Sequence, residues 1–304
     1  MIDIGTNSIL LLIARWNNSG ELETVKQAFS VTRLGDSISR DGVIREDAID
    51  RSMKVLEEYE NMARRYRAAK LYVIGTEMMR RAKNAQLFCR MVNKKFGWNV
   101  TILSGEEEGR LTYAAAVGGI GGDDQPVMVV DVGGGSTEIV RGIGCQIQSA
   151  LSLPLGVVRL AENTHMCANL SKLQYLELAS EIRASVENSR AFISIAPDTK
   201  FIGSGGTITT VAAIKEKMTT YDPEKINGYA LTHKDLRAIY RQLNQLAPAE
   251  RKNLPGMVPG REDILLYGII IFIVLIELTG LTKIYVTDRG LRYGYLLNIK
   301  NTGD

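Results

Sequence analysis

VMVVDVGGGSTEIV, from Val127 to Val140, is the stretch whose reading decides the fold. Val127 to Val130 reads as an apolar strand, Asp131 follows it, and a second strand starts at Ser136 and Thr137. Between them Gly133, Gly134 and Gly135 carry no side chains, so the backbone can turn tightly and aim several N–H groups at one point. Such a point suits a phosphate. Asp131 leaves the strand just before the turn, where a carboxylate can hold a divalent cation or its water. Glu138 adds a second acid nearby.

The chain does this twice. Asp3-Ile4-Gly5-Thr6-Asn7-Ser8 runs into the apolar Ile9 to Ala14, again in the order Asp-x-Gly turn, Ser, strand. One Gly-rich hairpin is often only a turn. Two in matching format predict a two-sided phosphate clamp made by Gly5, Thr6, Asn7 and Ser8 and by Gly133, Gly134, Gly135 and Ser136. Asp3 takes the place of Asp131 and joins Asp131 and Glu138 as a candidate metal ligand. Only Met1 and Ile2 precede Asp3, which predicts a truncated or renumbered start.

A third glycine segment, Gly203 to Thr207, lies between the strand-like Phe201-Ile202 and a helical pattern from Ile208 to Lys217. A glycine loop entering a helix is a good anion site, because free N–H groups and the helix dipole point outward. It is neither Walker A nor the full GxGxxG pattern. Gly205, Gly206 and Thr207 are its candidates.

Ser104-Gly105-Glu106-Glu107-Glu108-Gly109-Arg110 starts a helix, and Ser104 and Glu107 have the spacing of a capping box. Glu106 suits the helix dipole. Glu108 is left without a local task and is the better candidate for a general base that activates water, with Glu107 the alternative. Leu71 to Ile74 reads as a buried strand ending at Gly75-Thr76, followed by a polar loop from Glu77 to Asn84. Arg80 and Arg81 on that loop suit a phosphate or, equally, a surface salt bridge.

Length and composition bound the rest. A chain of 304 residues with 45% hydrophobic content can form two domains with ample cores. A net charge of +3, from 37 basic and 34 acidic residues, is too small for a nucleic-acid coat. Cys89, Cys145 and Cys167 are far apart and odd in number, which fits a reducing cytoplasm rather than a disulfide framework or zinc site. No secretory signal opens the chain. The apolar run Ile264 to Ile276 is short of the ~20 residues needed to span a bilayer and reads as a buried helix. His165 and His233 lack metal-ligand spacing and read as helix surface.

Periodicity predicts helices over Asp47 to Ala68, Ala85 to Phe96, Arg110 to Val117 and Lys172 to Ile193. Four glycines in Gly118-Gly119-Ile120-Gly121-Gly122 read as a hinge and place a domain boundary. The expected domains are 1–117 with about 291–304, and 118–290.

With these motifs in place, the chain resembles the exopolyphosphatase and guanosine pentaphosphate phosphatase family, Ppx/GppA, of the actin, sugar-kinase and Hsp70 superfamily. The carriers run through the whole length: IDIGTNSILLLIAR from Ile2, GTEMMRRAKN from Gly75, LSGEEEGRL from Leu103, VVDVGGGSTEIV from Val129. They continue with SLPLGVVRL from Ser152, IGSGGT from Ile202 and VTDRGLRYG from Val286. The resemblance implies an α/β fold of two ribonuclease-H-like, actin-like domains, each a mixed sheet flanked by helices, with the active site in the cleft between them. It implies Mg²⁺-dependent (or other divalent-dependent) release of terminal phosphate from polyphosphate, or of the 5′ γ-phosphate from guanosine pentaphosphate, and a possible homodimer. By motif, Glu108 would activate water, Asp131 and Glu138 would position metal and water, and Arg80 would neutralise phosphate. Longer relatives add a C-terminal HD-type domain after the point where this sequence ends, which puts processivity on long polymers in doubt. Met78-Met79 replace small residues and are expected to narrow the Arg80 loop. Two other readings stand beside this one: an ATP-dependent kinase of the same superfamily, and a non-catalytic sensor of polyphosphate or guanosine tetra- and pentaphosphate. No nucleic-acid or membrane partner is expected.

Overall fold

The computed structural model describes residues 1–36, 38–121, 125–164, 168–189 and 195–302. Gly122, His165, Cys167, Phe192 and Ile193, which figure in the sequence reading, lie outside the described residues. The chain forms two compact units, Met1–Glu108 with Arg292–Asp304, and Gly109–Leu291.

Unit 1 opens with β1 (Ile2–Ile4), β2 (Ser8–Trp16) and β3 (Leu22–Val31), followed by α1 (Ile38–Asp41) and α2 (Glu46–Arg65). Then come β4 (Val73–Gly75), α3 (Glu77–Arg81), α4 (Ala85–Phe96) and β5 (Val100–Ile102). Helix α5 (Gly105–Ile120) begins in unit 1 and continues in unit 2. Unit 2 holds β6 (Pro126–Val132), β7 (Thr137–Ile143), β8 (Gln146–Leu153), α6 (Val157–Asn163), α7 (Lys172–Asn188), β9 (Lys200–Ser204) and α8 (Gly206–Lys215). It goes on with α9 (Pro223–Ile226), β10 (Ala230–Thr232), α10 (His233–Gln245), α11 (Pro248–Arg251), α12 (Leu265–Thr279) and β11 (Lys283–Val286). The last helix, α13 (Leu291–Thr302), returns to unit 1.

The sheet of unit 1 has the order β3-β2-β1-β4-β5, and that of unit 2 β10-β11-β9-β6-β7-β8. In both, an antiparallel meander of the first three strands is continued by parallel strands beside the first one. Unit 2 adds only β10, antiparallel at its edge. The repeated Asp-x-Gly hairpin is therefore the start of a repeated fold, as the resemblance implied. A strand that turns back antiparallel needs only a tight turn, whereas each parallel neighbour needs a crossover, which the helices provide.

Each unit has its own core. In unit 1, Ile2, Ile4, Ile9 and Leu11 of the sheet pack against Ala48, Leu56 and Tyr59 of α2 and Phe88 and Val92 of α4. In unit 2 the expected buried helix is α12, whose residues from Leu265 to Ile276 are all buried. It is apolar all round because α6, α7, α8 and α10 pack on it. Among the described residues no helix is long and apolar enough to cross a membrane.

The structure corrects several local expectations. Glu77 to Arg81 is helical, not a polar loop, and Met78 and Met79 are buried in the core of unit 1 rather than narrowing a loop. Gly75 makes room for them, since a Cβ there would stand 2.7 Å from Met79 Cγ. Gly118 and Gly119 belong to α5 and form no hinge of their own. Gly119 is small because the Arg289 side chain lies over it, 3.0 Å from where a Cβ would be. Helix α7, expected to Ile193, ends at Asn188. His233 sits at the start of α10, as expected, and meets Glu277 at 3.1 Å.

Ile270 of α12 is fully buried. Ile270→Ala is expected to cost about 2–5 kcal/mol, as core truncations do, and to lower the urea midpoint of unit 2. An unchanged midpoint would show that α12 is not packed as described.

Candidate active site

The two hairpin turns are built alike. Gly5 N donates to Ser8 O at 3.0 Å, and Gly133 N donates to Ser136 O at 2.9 Å. The carbonyls behind each turn are then taken up by a second segment. In unit 1, Thr32 N and Arg33 N both donate to Asn7 O, and Gly35 N donates to Thr6 O. In unit 2, Val157 N donates to Gly133 O, and Val158 N and Arg159 N to Gly134 O. With the carbonyls held from behind, the N–H groups of Thr6 and Asn7 and of Gly134 and Gly135 have no acceptor among the described residues. Asn7 Nδ2 is also buried without an acceptor among them. Orphaned donors converging beside a turn are what an anion satisfies.

Close packing enforces both arrangements. A Cβ at Gly156 would fall 2.3 Å from Gly134 O, and one at Gly35 would fall 2.3 Å from Thr6 Cγ2. Arg33 adopts φ 49°, a left-handed conformation unusual for a side-chain-bearing residue, where it donates to Asn7 O.

Asp131 and Glu138 face each other directly across β6 and β7. Directly opposed residues of an antiparallel pair share a face with Cβ atoms about 4.5–5.5 Å apart. Glu138 is in turn opposite Ser152 on β8, whose hydroxyl donates to Glu138 Oε1 at 2.7 Å. Ser204 on β9 pairs with Asp131 on the other side, and its hydroxyl and that of Thr112 each donate to Asp131 Oδ2 at 3.4 Å. The acids thus belong to a polar row across four strands. Unit 1 has no such row, because the residues beside Asp3 are Leu10 and Ile74.

The carboxylates of the Ser104–Arg110 segment separate clearly. Glu107 Oε2 accepts from Ser104 N at 2.7 Å, and Glu107 N donates to Ser104 Oγ at 3.2 Å, which is the expected capping box. The Ser104 backbone N–H first, and the Ser104 side chain with it, hold the Glu107 carboxyl below the usual range. Glu108, next in sequence, is buried, and the Arg80 guanidinium contacts its Oε1. Arg80, expected at a phosphate or in a salt bridge, forms an ion pair with Glu108 in unit 1. Gly109 follows and would place a Cβ 3.4 Å from Glu138 Cβ, so glycine lets α5 lie on the acidic row.

The third glycine segment joins the row as well. Gly205 has φ 90°, and a Cβ there would fall 2.5 Å from Asp131 Oδ1. Its carbonyl and that of Gly206 are capped by the Thr209 and Thr210 hydroxyls at 3.1 and 2.6 Å. The first N–H groups of α8 have no intrahelical acceptor. The Thr207 side chain is buried against Gly268, which leaves only its backbone N–H to the turn.

Several residues of these clusters carried no sequence signal. The Arg261 guanidinium lies over Gly206, where a Cβ would meet Nη2 at 1.9 Å. Burial lowers its pKa to about 10, opposed by Tyr221 and Asp131, so it stays charged at neutral pH. Thr112 and Ser152 orient the acids, and Glu77 accepts from the Thr6 hydroxyl at 3.5 Å. Spacing in the sequence reveals none of them; only strand register and crossover do.

Among the described residues no three Asp, Glu, His or Cys side chains form a metal cluster. The donors present still fit Mg²⁺, which usually takes one or two carboxylates with waters and substrate phosphates. Asp131 is suited to it, because burial raises its pKa from 3.8 to about 6, against the Thr112 and Ser204 hydroxyls and Arg261, and a cation would offset that cost. Glu138 stands opposite as a second donor. Asp3 has no acidic neighbour across its strands.

Residues 12–302 match the model of the Ppx/GppA phosphatase family. The chain is 30% identical over 311 residues to Exopolyphosphatase 2 of Mycobacterium tuberculosis, covering 98% of this chain and 97% of that protein. It is 25% identical over 293 residues to a guanosine-5'-triphosphate,3'-diphosphate pyrophosphatase of Aliivibrio fischeri, covering 96% of this chain and 57% of that one. The crystal structure of the Aquifex aeolicus Ppx/GppA family member superposes with a TM-score of 0.83 at 30% identity, covering 100% of this chain and 97% of that one.

The raised pKa of Asp131 has a sign that can be tested. The folded chain keeps a proton that the unfolded chain gives up, so this group's stabilisation is complete below about pH 4 and is lost as pH rises through about 6. Asp131→Asn removes the penalty. In metal-free buffer it is expected to unfold at higher urea than the parent near pH 7.5, by about 1–3 kcal/mol, with no advantage near pH 3.5. Equal stability at both values would refute the burial of a costly carboxylate.

Proposed function

The chain belongs to the Ppx/GppA phosphatase family, and from that premise we propose that it hydrolyses terminal phosphoanhydride bonds with a divalent cation. Its substrate is inorganic polyphosphate, guanosine pentaphosphate, or both. The names of the relatives support this substrate class, one being an exopolyphosphatase and another a guanosine-5'-triphosphate,3'-diphosphate pyrophosphatase.

The observation that carries the reading is Glu108. It is the buried carboxylate that the capping box leaves out, on the first turn of α5, in contact with an arginine. Phosphoryl transfer to water needs charge neutralisation and a positioned nucleophile more than covalent chemistry. In the proposed mechanism each unit binds phosphate oxygens through its own turn, unit 1 through the N–H groups of Thr6 and Asn7, and unit 2 through those of Gly134 and Gly135 with the first turn of α8. Arg80 and Arg261 add positive charge. Glu108 takes the proton of the attacking water as the water oxygen bonds to the terminal phosphorus, and the bond from that phosphorus to the bridging oxygen breaks with its electrons on the bridging oxygen of the shortened chain, which releases orthophosphate. Mg²⁺ held by Asp131 and Glu138 would supply further charge neutralisation on the phosphate oxygens. Thr112, Ser204 and Ser152 keep those carboxylates in place.

Phosphate release from short polyphosphate, long polyphosphate and guanosine pentaphosphate tests the activity and ranks the substrates. Glu108→Ala is expected to lower turnover by roughly two to four orders of magnitude, as loss of a general base does, with the fold intact by circular dichroism. Glu107→Ala keeps near-parent turnover and loses only the cap, worth about 1 kcal/mol of helix stability. Near-parent release by Glu108→Ala would reject the assignment, and tight binding of all three ligands without release would point to a sensor. Chelation should stop release, and Mg²⁺ should restore it in the parent but not in Asp131→Asn.

A further inference from the structure

Arg80 stands on the last turn of α3, and its side chain is about a quarter exposed, at 26%, while that of Glu108 is at 9%. Both of its contacts run through Nη1, which meets Leu103 O and Glu108 Oε1. Nε and Nη2 have no partner among the described residues. A guanidinium is a planar fork with five N–H donors, so one edge can be spent on protein while the other takes a phosphate oxygen. Lysine has no such second edge.

Helix α3 is tied to the first phosphate turn at its other end. Thr76 N donates to Ile4 O at 3.3 Å, and Glu77 accepts from the Thr6 hydroxyl and holds Arg81 at 3.0 Å. Met78 and Met79, buried between, fix the helix in the core of unit 1. The five-residue helix therefore sets Arg80 and the Thr6–Asn7 turn in one rigid piece, and Arg80 in turn sets Glu108.

We infer that Arg80 is a positioning residue for Glu108, holding its Oε1 through Nη1 while Nε and Nη2 receive the substrate phosphate. This rests on the reading of Glu108 as the base. Substrate anion and base are thereby coupled through a single side chain. Removing Arg80 has two separable consequences: loss of a phosphate contact, which raises KM, and loss of base placement, which lowers kcat only where a base is present.

The test is a double-mutant cycle of Arg80→Met and Glu108→Gln, with kcat and KM for phosphate release measured on short polyphosphate in Mg²⁺. Circular dichroism melting checks the fold of each variant. In the parent background, Arg80→Met is expected to raise KM about tenfold and lower kcat about a hundredfold. In the Glu108→Gln background it should raise KM by the same factor and lower kcat less than about threefold. Arg80→Lys, which keeps charge but not the fork, should recover KM and leave kcat low. An equal kcat loss in both backgrounds, or full rescue of kcat by lysine, overturns the inference. Parent-like turnover by Glu108→Gln alone would instead remove the base assignment on which it rests.

Discussion

Everything proposed for the binding turns depends on where their carbonyl groups go. A peptide turn offers donors and acceptors in equal number, and an anion is repelled by every acceptor that faces it. Here the acceptors are taken up from behind. Residues 32–35 donate to Thr6 and Asn7, residues 157–159 donate to Gly133 and Gly134, and the Thr209 and Thr210 hydroxyls donate to Gly205 and Gly206. Three turns with different neighbours reach the same result by different donors. Glycine matters at Gly35 and Gly156 because the capping segment must approach to van der Waals distance, not because it must flex.

The same physics explains what the sequence disclosed. The paired hairpins, the buried apolar helix and the capping box that sets Glu107 apart from Glu108 follow from local patterns, each complete within about a dozen residues. Hairpin register, helical burial and capping spacing are all short-range. Arg261, Thr112, Ser152 and Glu77 were not legible, since each meets its partner only after the chain has crossed the sheet. Ser152 reaches Glu138 through the third strand of a meander, and Arg261 reaches Gly206 from the loop before α12. The glycines of Gly118 and Gly119 misled for a related reason: composition alone cannot tell a flexible segment from a helix face that must accept an arginine. Likewise the run from Glu77 to Asn84 looked polar, although its two methionines complete the core.

The repeat is structural but not chemical. The two sheets share their strand order, yet the position opposite Asp3 is Leu10 while that opposite Asp131 is Glu138. Ser204 beside Asp131 likewise corresponds to Ile74 beside Asp3. Unit 2 keeps two carboxylates with hydroxyl partners, and unit 1 keeps the arginine and the buried Glu108. The two backbones supply similar turns, and divergence of the flanking strand positions leaves a facing pair of acids in one and an arginine–glutamate pair in the other.

Unit 1 is also discontinuous along the chain. Its β2–β3 hairpin is held by the last helix, through Arg292 to Leu11 O at 2.9 Å, Tyr293 to Thr24 at 2.8 Å and Lys300 over the Trp16 ring at 4.4 Å. On the ribosome, where chains grow at about 5–20 residues per second, these partners are made only after unit 2. The β2–β3 hairpin must therefore wait for the whole of Gly109–Leu291 before its contacts with α13 can form. Unit 2 is a continuous segment and can close as soon as β11 is out. The order of completion thus runs against the order of sequence: the β2–β3 hairpin is made before unit 2 but gains its α13 contacts only after it, so a ribosome stalled before α13 would hold a complete second unit and an incomplete first one.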